Sequence, residues 1–515
     1  MRISSLLLGC ALAAGLSSSA MAQEFSYKGY VLSDLHMTVP GTDRPGDVDP
    51  VRFDRMDNTF KFTGNFSWET VDVTADISLT YTGKSDVYEL ETLRRRTKVD
   101  PIEFESEALF IRFSDFIIDG LDVRLGRQII DWGAADRFNP TNPINGLDLE
   151  DYQDFGRRVA NEMINVTFAP DWEIEGEETP VFSEFQFQVV WVPRFRSGLI
   201  PESSEYVFGG PNQFRRFAKS KVLNNLVDLQ ELFVDYGGSI LYDVKVHEPG
   251  DSIENSQVGL RLGFSLYSVD IDFYGYYGFD HNMQPRYVNA NAVSTDDAVS
   301  NAIEANIYKV FGTDDDRNAL STLLKSFGVP GISTVTAYTD VTIEYPRIGM
   351  FGMDFATSLD FLGGVGFWGE LAFFFHDDVN LDLDINGATK RDAQVEDGMF
   401  LKAVVGLDNS FNKWLYLNTQ YIYGFVDEFG DKDLEHYLMV NLDFKIFNEQ
   451  MLIRLSSVIC LSDPSAMLVP HISWKFWPGT ELILGGLFHL GDDDSTFGNR
   501  VTGPNYLYLQ AKYAF

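Results

Sequence analysis

Two cysteines, Cys10 and Cys460, are all that the chain contains. Cys10 lies in a leader-like start, so its removal leaves no intramolecular disulfide and no cysteine-based zinc site. Beyond that start, no stretch approaches the ~20 consecutive apolar residues that a membrane helix requires. Bases are scarce: 40 Lys and Arg stand against 76 Asp and Glu, a formal charge of −36. Nucleic acid demands a basic footprint, and that class of partner is excluded. The seven histidines are scattered, and no H-E-x-x-H, G-x-S-x-G, Walker or Rossmann pattern stands in a fitting context. The reading is of a non-enzyme, with no cofactor and no metal.

What is present points to an exported, well-folded chain. Aromatics make up 14% of it, too many for a disordered acidic protein. Arg2, the apolar run Leu6 to Leu16 and the small residues Ala20 and Ala22 read as a signal peptide over residues 1–22, with the mature chain starting near Gln23. Residues 23–515 are then one domain.

Period-two alternation dominates that domain. Val71, Val73, Ala75, Ile77, Leu79 and Tyr81 fall on one face, and Asp72, Thr74, Asp76, Ser78 and Thr80 on the other. The pattern recurs in about eighteen segments of roughly the 9–11 residues that a tilted membrane strand needs. Turns are expected at Glu69-Thr70, Tyr267-Ser268, Leu362-Gly363, Asn409-Ser410 and Phe447-Asn448, and long loops around 40–57, 83–102, 132–157, 195–254, 281–345, 377–397 and 492–503. Short turns alternating with long loops predict an all-β, transmembrane antiparallel β-barrel with short helices in its extracellular loops. Those helices are expected over Asn224–Val234, with Leu226, Leu229 and Leu232 on one face, and over Asp296–Phe311, with Val299, Ile303 and Ile307. Asp382-x-Asp384-x-Asn386-Gly387 could open a calcium loop, but Ala393 stands where that template needs Glu. Asn386-Gly387 is preferred as a hairpin turn.

The last segment, Asn505 to Phe515, alternates Leu507, Leu509, Ala511, Tyr513 and Phe515. It resembles the C-terminal aromatic signal of Gram-negative outer-membrane proteins, which implies the barrel-assembly machinery as a partner through Phe515 and an outer-membrane location.

By parity, Arg112, Arg124, Arg261, Asp354 and Glu370 face a polar lumen. Arg127 faces lipid unless a bulge near Gly126 shifts the register. Asn139-Pro140-Thr141-Asn142-Pro143 then forbids regular structure, and a loop this rich in Arg, Asn and Asp could fold inward as a constriction. The L-G-R-Q of Leu125 to Gln128, Trp132-Gly133 and the VVWVPRF of Val189 to Phe195 resemble outer-membrane porin-like families, including relatives of alginate-export porins. The resemblance implies pore or eyelet roles for Arg124, Arg127, Asp131, Arg137 and Asp148. It also implies a basic conduit for an anionic polymer, which the acidic balance of this chain does not match.

The expected function is passive passage of small hydrophilic solutes. The alternatives are a specific transporter or exporter of a polymeric or poorly soluble ligand, and a non-conducting adhesin or scaffold. Outer-membrane lipid and lipopolysaccharide are the expected surroundings, with Arg94, Arg95, Arg96 and Lys98, and Arg215, Arg216, Lys219 and Lys221, as clusters able to meet phosphate or to neutralise neighbouring acids. A homotrimer is one assembly open to such a barrel, and the sequence does not choose the oligomeric state.

Overall fold

A computed structural model describes residues 23–39, 51, 53–85, 87, 90–149, 156–176, 179–199, 221–432, 434–492, 495–498 and 505–515. Residues 86 and 88–89 lie outside it, as do the expected signal peptide, Arg215, Arg216, Lys219 and part of the 492–503 loop.

Eighteen antiparallel strands form one closed ring. In chain order the first seven are β1 (Gln23–Val39), β2 (Phe53–Trp68), β3 (Val71–Tyr81), β4 (Ile102–Phe113), β5 (Leu121–Gln128), β6 (Asn161–Phe168) and β7 (Phe182–Val192). After β8 (Ser239–His247), which lies outside the ring, come β9 (Gln257–Leu266) and β10 (Val269–Phe279). β11 (Gln284–Ser294) and β12 (Val335–Glu344) also lie outside it; β13 (Arg347–Leu359) and β14 (Val365–His376) return to it. β15 (Val379–Ile385) and β16 (Ala388–Val395) are again outside, and β17 (Gly398–Asn412), β18 (Leu415–Tyr423), β19 (His436–Ile446), β20 (Met451–Cys460), β21 (Ser465–Trp477), β22 (Thr480–Leu490) and β23 (Asn505–Ala514) complete the ring. Closure is made by β1 on β23, where Phe515 N–H donates to Gly29 O at 2.9 Å and Gly29 N–H to Phe515 O at 3.0 Å. A side chain at position 29 would strike the Phe515 ring at 2.6 Å, so only glycine admits this approach.

The expected facing of the strands is present. Leu79, Ile111, Leu260, Phe351, Val405, Leu455 and Leu484 are exposed on the outside, as lipid requires. Trp68, Tyr267, Trp414, Trp474, Trp477 and Phe515 are exposed near the short-turn rim, where aromatics sit at a membrane interface. Among the described residues, no helix is long and apolar enough to cross a membrane.

Two expectations need correction. Asn409 and Ser410 are paired within β17, whose turn falls at Lys413-Trp414; polar residues continue that strand because they stand below the apolar band. The long loops at 195–254, 281–345 and 377–397 hold more than helices. They contribute β8, β11, β12, β15 and β16 to a mixed five-stranded sheet in the order β16-β15-β11-β12-β8. Three helices, α1 (Lys221–Asp235), α2 (Asp297–Asn306) and α3 (Asp314–Lys325), belong with it. Leu226, Leu229, Val299, Ile303 and Leu324 share one core with Val288, Val341 and Leu381 of the sheet, so the helical faces read from sequence are buried in a cap. The β15–β16 turn is the expected hairpin: Asn386 and Gly387 have φ of 49° and 81°, as a type I′ turn demands. Asp382 there is held bidentately by Arg391 at 2.6 and 2.7 Å.

Candidate functional site: a strapped loop across the lumen

Residues 129–160 link β5 to β6, but they do not stay above those strands. Prolines at 140 and 143 remove two backbone donors, and Gly133 takes a φ of 95°, so the chain turns repeatedly and needs outside partners. The barrel supplies them from far round the ring. Glu370 of β14 accepts from Ala135 N–H at 2.6 Å, Thr141 Oγ1 at 2.7 Å, Asn139 Nδ2 at 3.0 Å and Thr141 N–H at 3.3 Å. Trp132 Nε1 donates to Gln188 of β7 at 2.7 Å, and Gln420 of β18 donates to Asp136 O at 3.1 Å. Tyr274 of β10 accepts from Gly133 N–H at 3.2 Å and donates to Asp354 of β13 at 2.7 Å. In an eighteen-strand ring, β18 stands on the side opposite β5. The loop therefore crosses the lumen.

Apolar packing fixes the crossing. Trp132 and Ile144 are buried with Tyr274, Met350 and Phe374. A side chain at Gly259 of β9 would meet Trp132 at 2.8 Å, so the wall is thinned there to receive the indole. Ala135 and Phe138 join Trp368, Ile422, Tyr437 and Met439 in a second cluster. The near end of the loop is held ionically: Arg157 meets Glu105 at 2.7 Å, Asp148 at 2.9 Å and Glu107 at 3.9 Å. Burial works against the Arg157 charge, but these carboxylates outweigh it and raise its pKa. Arg158 donates to the carbonyls of Asn142 at 2.8 Å and Asn145 at 3.1 Å, and burial brings it down to about 10, so it remains a cation at neutral pH.

The wall from β1 to β5 has a different lining. Lys61 lies 2.5 Å from Glu107 and 3.2 Å from Asp76; Asp76 also accepts from Thr63 at 2.7 Å. Arg112 is gripped by Asp122, with Asp72 at 3.9 Å, and Arg124 lies over the Phe110 ring at 5.8 Å. Higher up, Asp34 pairs with His36 at 3.0 Å and with Arg55 at 3.8 Å. Both signs alternate, and a field runs across the space they face.

The sequence-derived residues thus separate. Arg112 and Arg124 lie on the ionic wall, and Arg261 is paired bidentately with Asp272 at 2.7 and 2.9 Å. Glu370 and Asp354, 1% and 3% exposed, sit beneath the loop and hold it up. Asp148 is buried at its near anchor, Asp131 is exposed at its start, and Arg137 projects from its far end. Arg127 is the exception. Opposite Leu109 and Glu162 on the outward row, with no register shift at Gly126, it bonds to Ser106 O at 2.6 Å and pairs with Glu162 at 3.3 Å. Parity hid Glu107, because β4 carries a bulge against Asp76/Ile77.

A family model matches residues 105–467, from β4 to the start of β21, and so takes in the inward loop and most of the ring. The chain belongs to the DUF1302 family. The description of that family is "Protein of unknown function (DUF1302)". No curated protein sequence matches this DUF1302 chain. Among solved structures it is similar to Salmonella typhi OmpF in complex with daunomycin (8% identity, 95% of this chain and 97% of that one, TM-score 0.36). It is likewise similar to a mutant of the Rh. blastica porin (9%, 96% and 100%, 0.36) and to Vibrio cholerae OmpT lacking loop L8 (8%, 96% and 100%, 0.37).

Proposed function

We propose that the protein is a porin-like channel of the Gram-negative outer membrane, passing small hydrophilic solutes passively through the space between the strapped loop and the β1–β5 wall. The observation that carries this reading is the loop itself: Glu370 ties it to the far wall, while the near wall keeps its ion pairs facing the lumen. A scaffold has no need of a narrowed, charge-lined interior. Planar-bilayer recording tests the proposal. Ohmic steps are expected, and well-folded protein that never conducts would refute it.

The same reading carries a cleaved signal peptide over residues 1–22, lipopolysaccharide around the loop-side rim, delivery through Phe515 and association as a homotrimer, which cross-linking in detergent checks. A kinship with alginate-export porins rests on the L-G-R-Q, W-G and VVWVPRF segments. The lumen's bases are largely balanced by acids, and an anionic polymer would need a surplus of cations.

A further inference from the structure

Between the far end of the loop and the β18–β21 wall lies a cavity of about 90 Å³ that none of the straps uses. Its apolar side is Phe138 from the loop with Met439, Val458, Met467 and Val469 from three strands. Asn441 and Ser456, paired across β19 and β20, make its polar floor. An apolar cavity of roughly 150 Å³ holds a benzene ring, so this one suits a short alkyl chain or the edge of a single ring.

Its charges are unusual for this lumen. Arg454, at the cavity edge, is already engaged by Asp443, its Nε and Nη2 donating at 2.6 and 2.5 Å. Asp136 and Arg137 also line the cavity, and among the described residues neither side chain has an ion pair or hydrogen bond. Arg137 is further held at a φ of 73°, a conformation that costs a non-glycine residue energy. A carboxylate and a guanidinium adjacent in the chain, neither of them in an ion pair although Asp136 lies within electrostatic reach of Arg454 and Arg137 within reach of His471, beside a small apolar chamber, form a complement to a zwitterion with a greasy substituent.

We infer that this cavity is a binding subsite for an α-amino acid with a small apolar side chain, its carboxylate on Arg137, its ammonium on Asp136 and its side chain among Phe138, Met439 and Met467. This deepens the channel reading and rests on it, but binding can be measured without current. Calorimetry on the detergent-solubilised full chain would use L-methionine as the probe. Glycine, which lacks the side chain, and 4-(methylthio)butyrate, which lacks the ammonium, should each bind about tenfold more weakly. Arg137→Gln should weaken L-methionine about tenfold, and Asp136→Asn should erase its advantage over 4-(methylthio)butyrate. Ser456→Phe, which fills the chamber from the wall, gives an independent loss if the loop variants fold poorly. Equal affinity for glycine and L-methionine, or an unchanged affinity in Arg137→Gln, overturns the subsite. Binding as described in a protein that never conducts would overturn the channel and leave the subsite standing.

Discussion

The two sides of the lumen solve the same problem in opposite ways. From β1 to β5 the inward row is ionic through its height, from Asp72 and Arg112 near the turns to Asp34, His36 and Arg55 near the loops. From β9 to β22 the ion pairs Arg261–Asp272 and Arg454–Asp443 lie in the lower part, and the charges above them, Asp354, Glu370 and Lys402, are buried against hydroxyl, amide and carbonyl groups. Around those charges the row is mostly apolar, with Tyr276, Phe374, Val404, Tyr437 and Leu487 buried. The loop explains the change: where protein fills the lumen the wall can be greasy, and where water remains it must pair its charges. A polar interior is therefore no fixed property of such a barrel, and its chemistry follows what stands against it.

The strongest way to break this contrast is to release the loop. Glu370→Ala leaves four donors without their acceptor, at a cost of about 3 kcal/mol, and single-channel steps should become larger and less uniform. Steps identical to the parent's would show that the strap does not set the constriction. Gly259→Leu attacks the apolar side alone: it should displace Trp132, destabilise by about 1–3 kcal/mol and quench less of the indole's mobility in fluorescence anisotropy.

On the ionic side, Arg124→Gln should shift the reversal potential toward cations, with a roughly twofold change in permeability ratio. Arg127→Gln, made on the outward row, should leave it where it was. The smallest effect concerns the join between cap and barrel. Burial of its ring nitrogens, with Arg158 nearby, lowers the half-buried His281 to about 4. The unfolded chain would titrate this group near 6.5, so between pH ~6.5 and ~4 unfolding takes up a proton. Stability should fall as the pH drops through that window and stay level above it, and His281→Gln should flatten the dependence of the thermal midpoint.

Much of the ring was legible because a bilayer imposes one rule on every strand, and Val71 to Tyr81 obey it without interruption. The constriction was legible in part: two prolines among Asn residues announced an inward, irregular loop, yet nothing local said that Glu370, more than 200 residues on, would hold it. Arg137 could be named from its neighbourhood, whereas its cavity depends on Met439 and Met467, which only the closed ring brings near. The cap escaped for another reason. Thr336 to Glu344 alternate as cleanly as any barrel strand, but the parallel pairings of β11 with β15 and of β12 with β8 join separate loops, and sequence offers no sign of such partners.

Those parallel pairings give the cap a use as a witness. β8, β11–β12 and β15–β16 enter it from three successive gaps in the ring, and although each hairpin can close on itself, the parallel pairings cannot form until β7, β9, β10, β13, β14 and β17 stand side by side. An antibody raised against the open face where Leu241 of β8, Tyr338 of β12, Tyr287 of β11 and Asp382 of β15 lie side by side would accordingly stain only molecules whose insertion is finished.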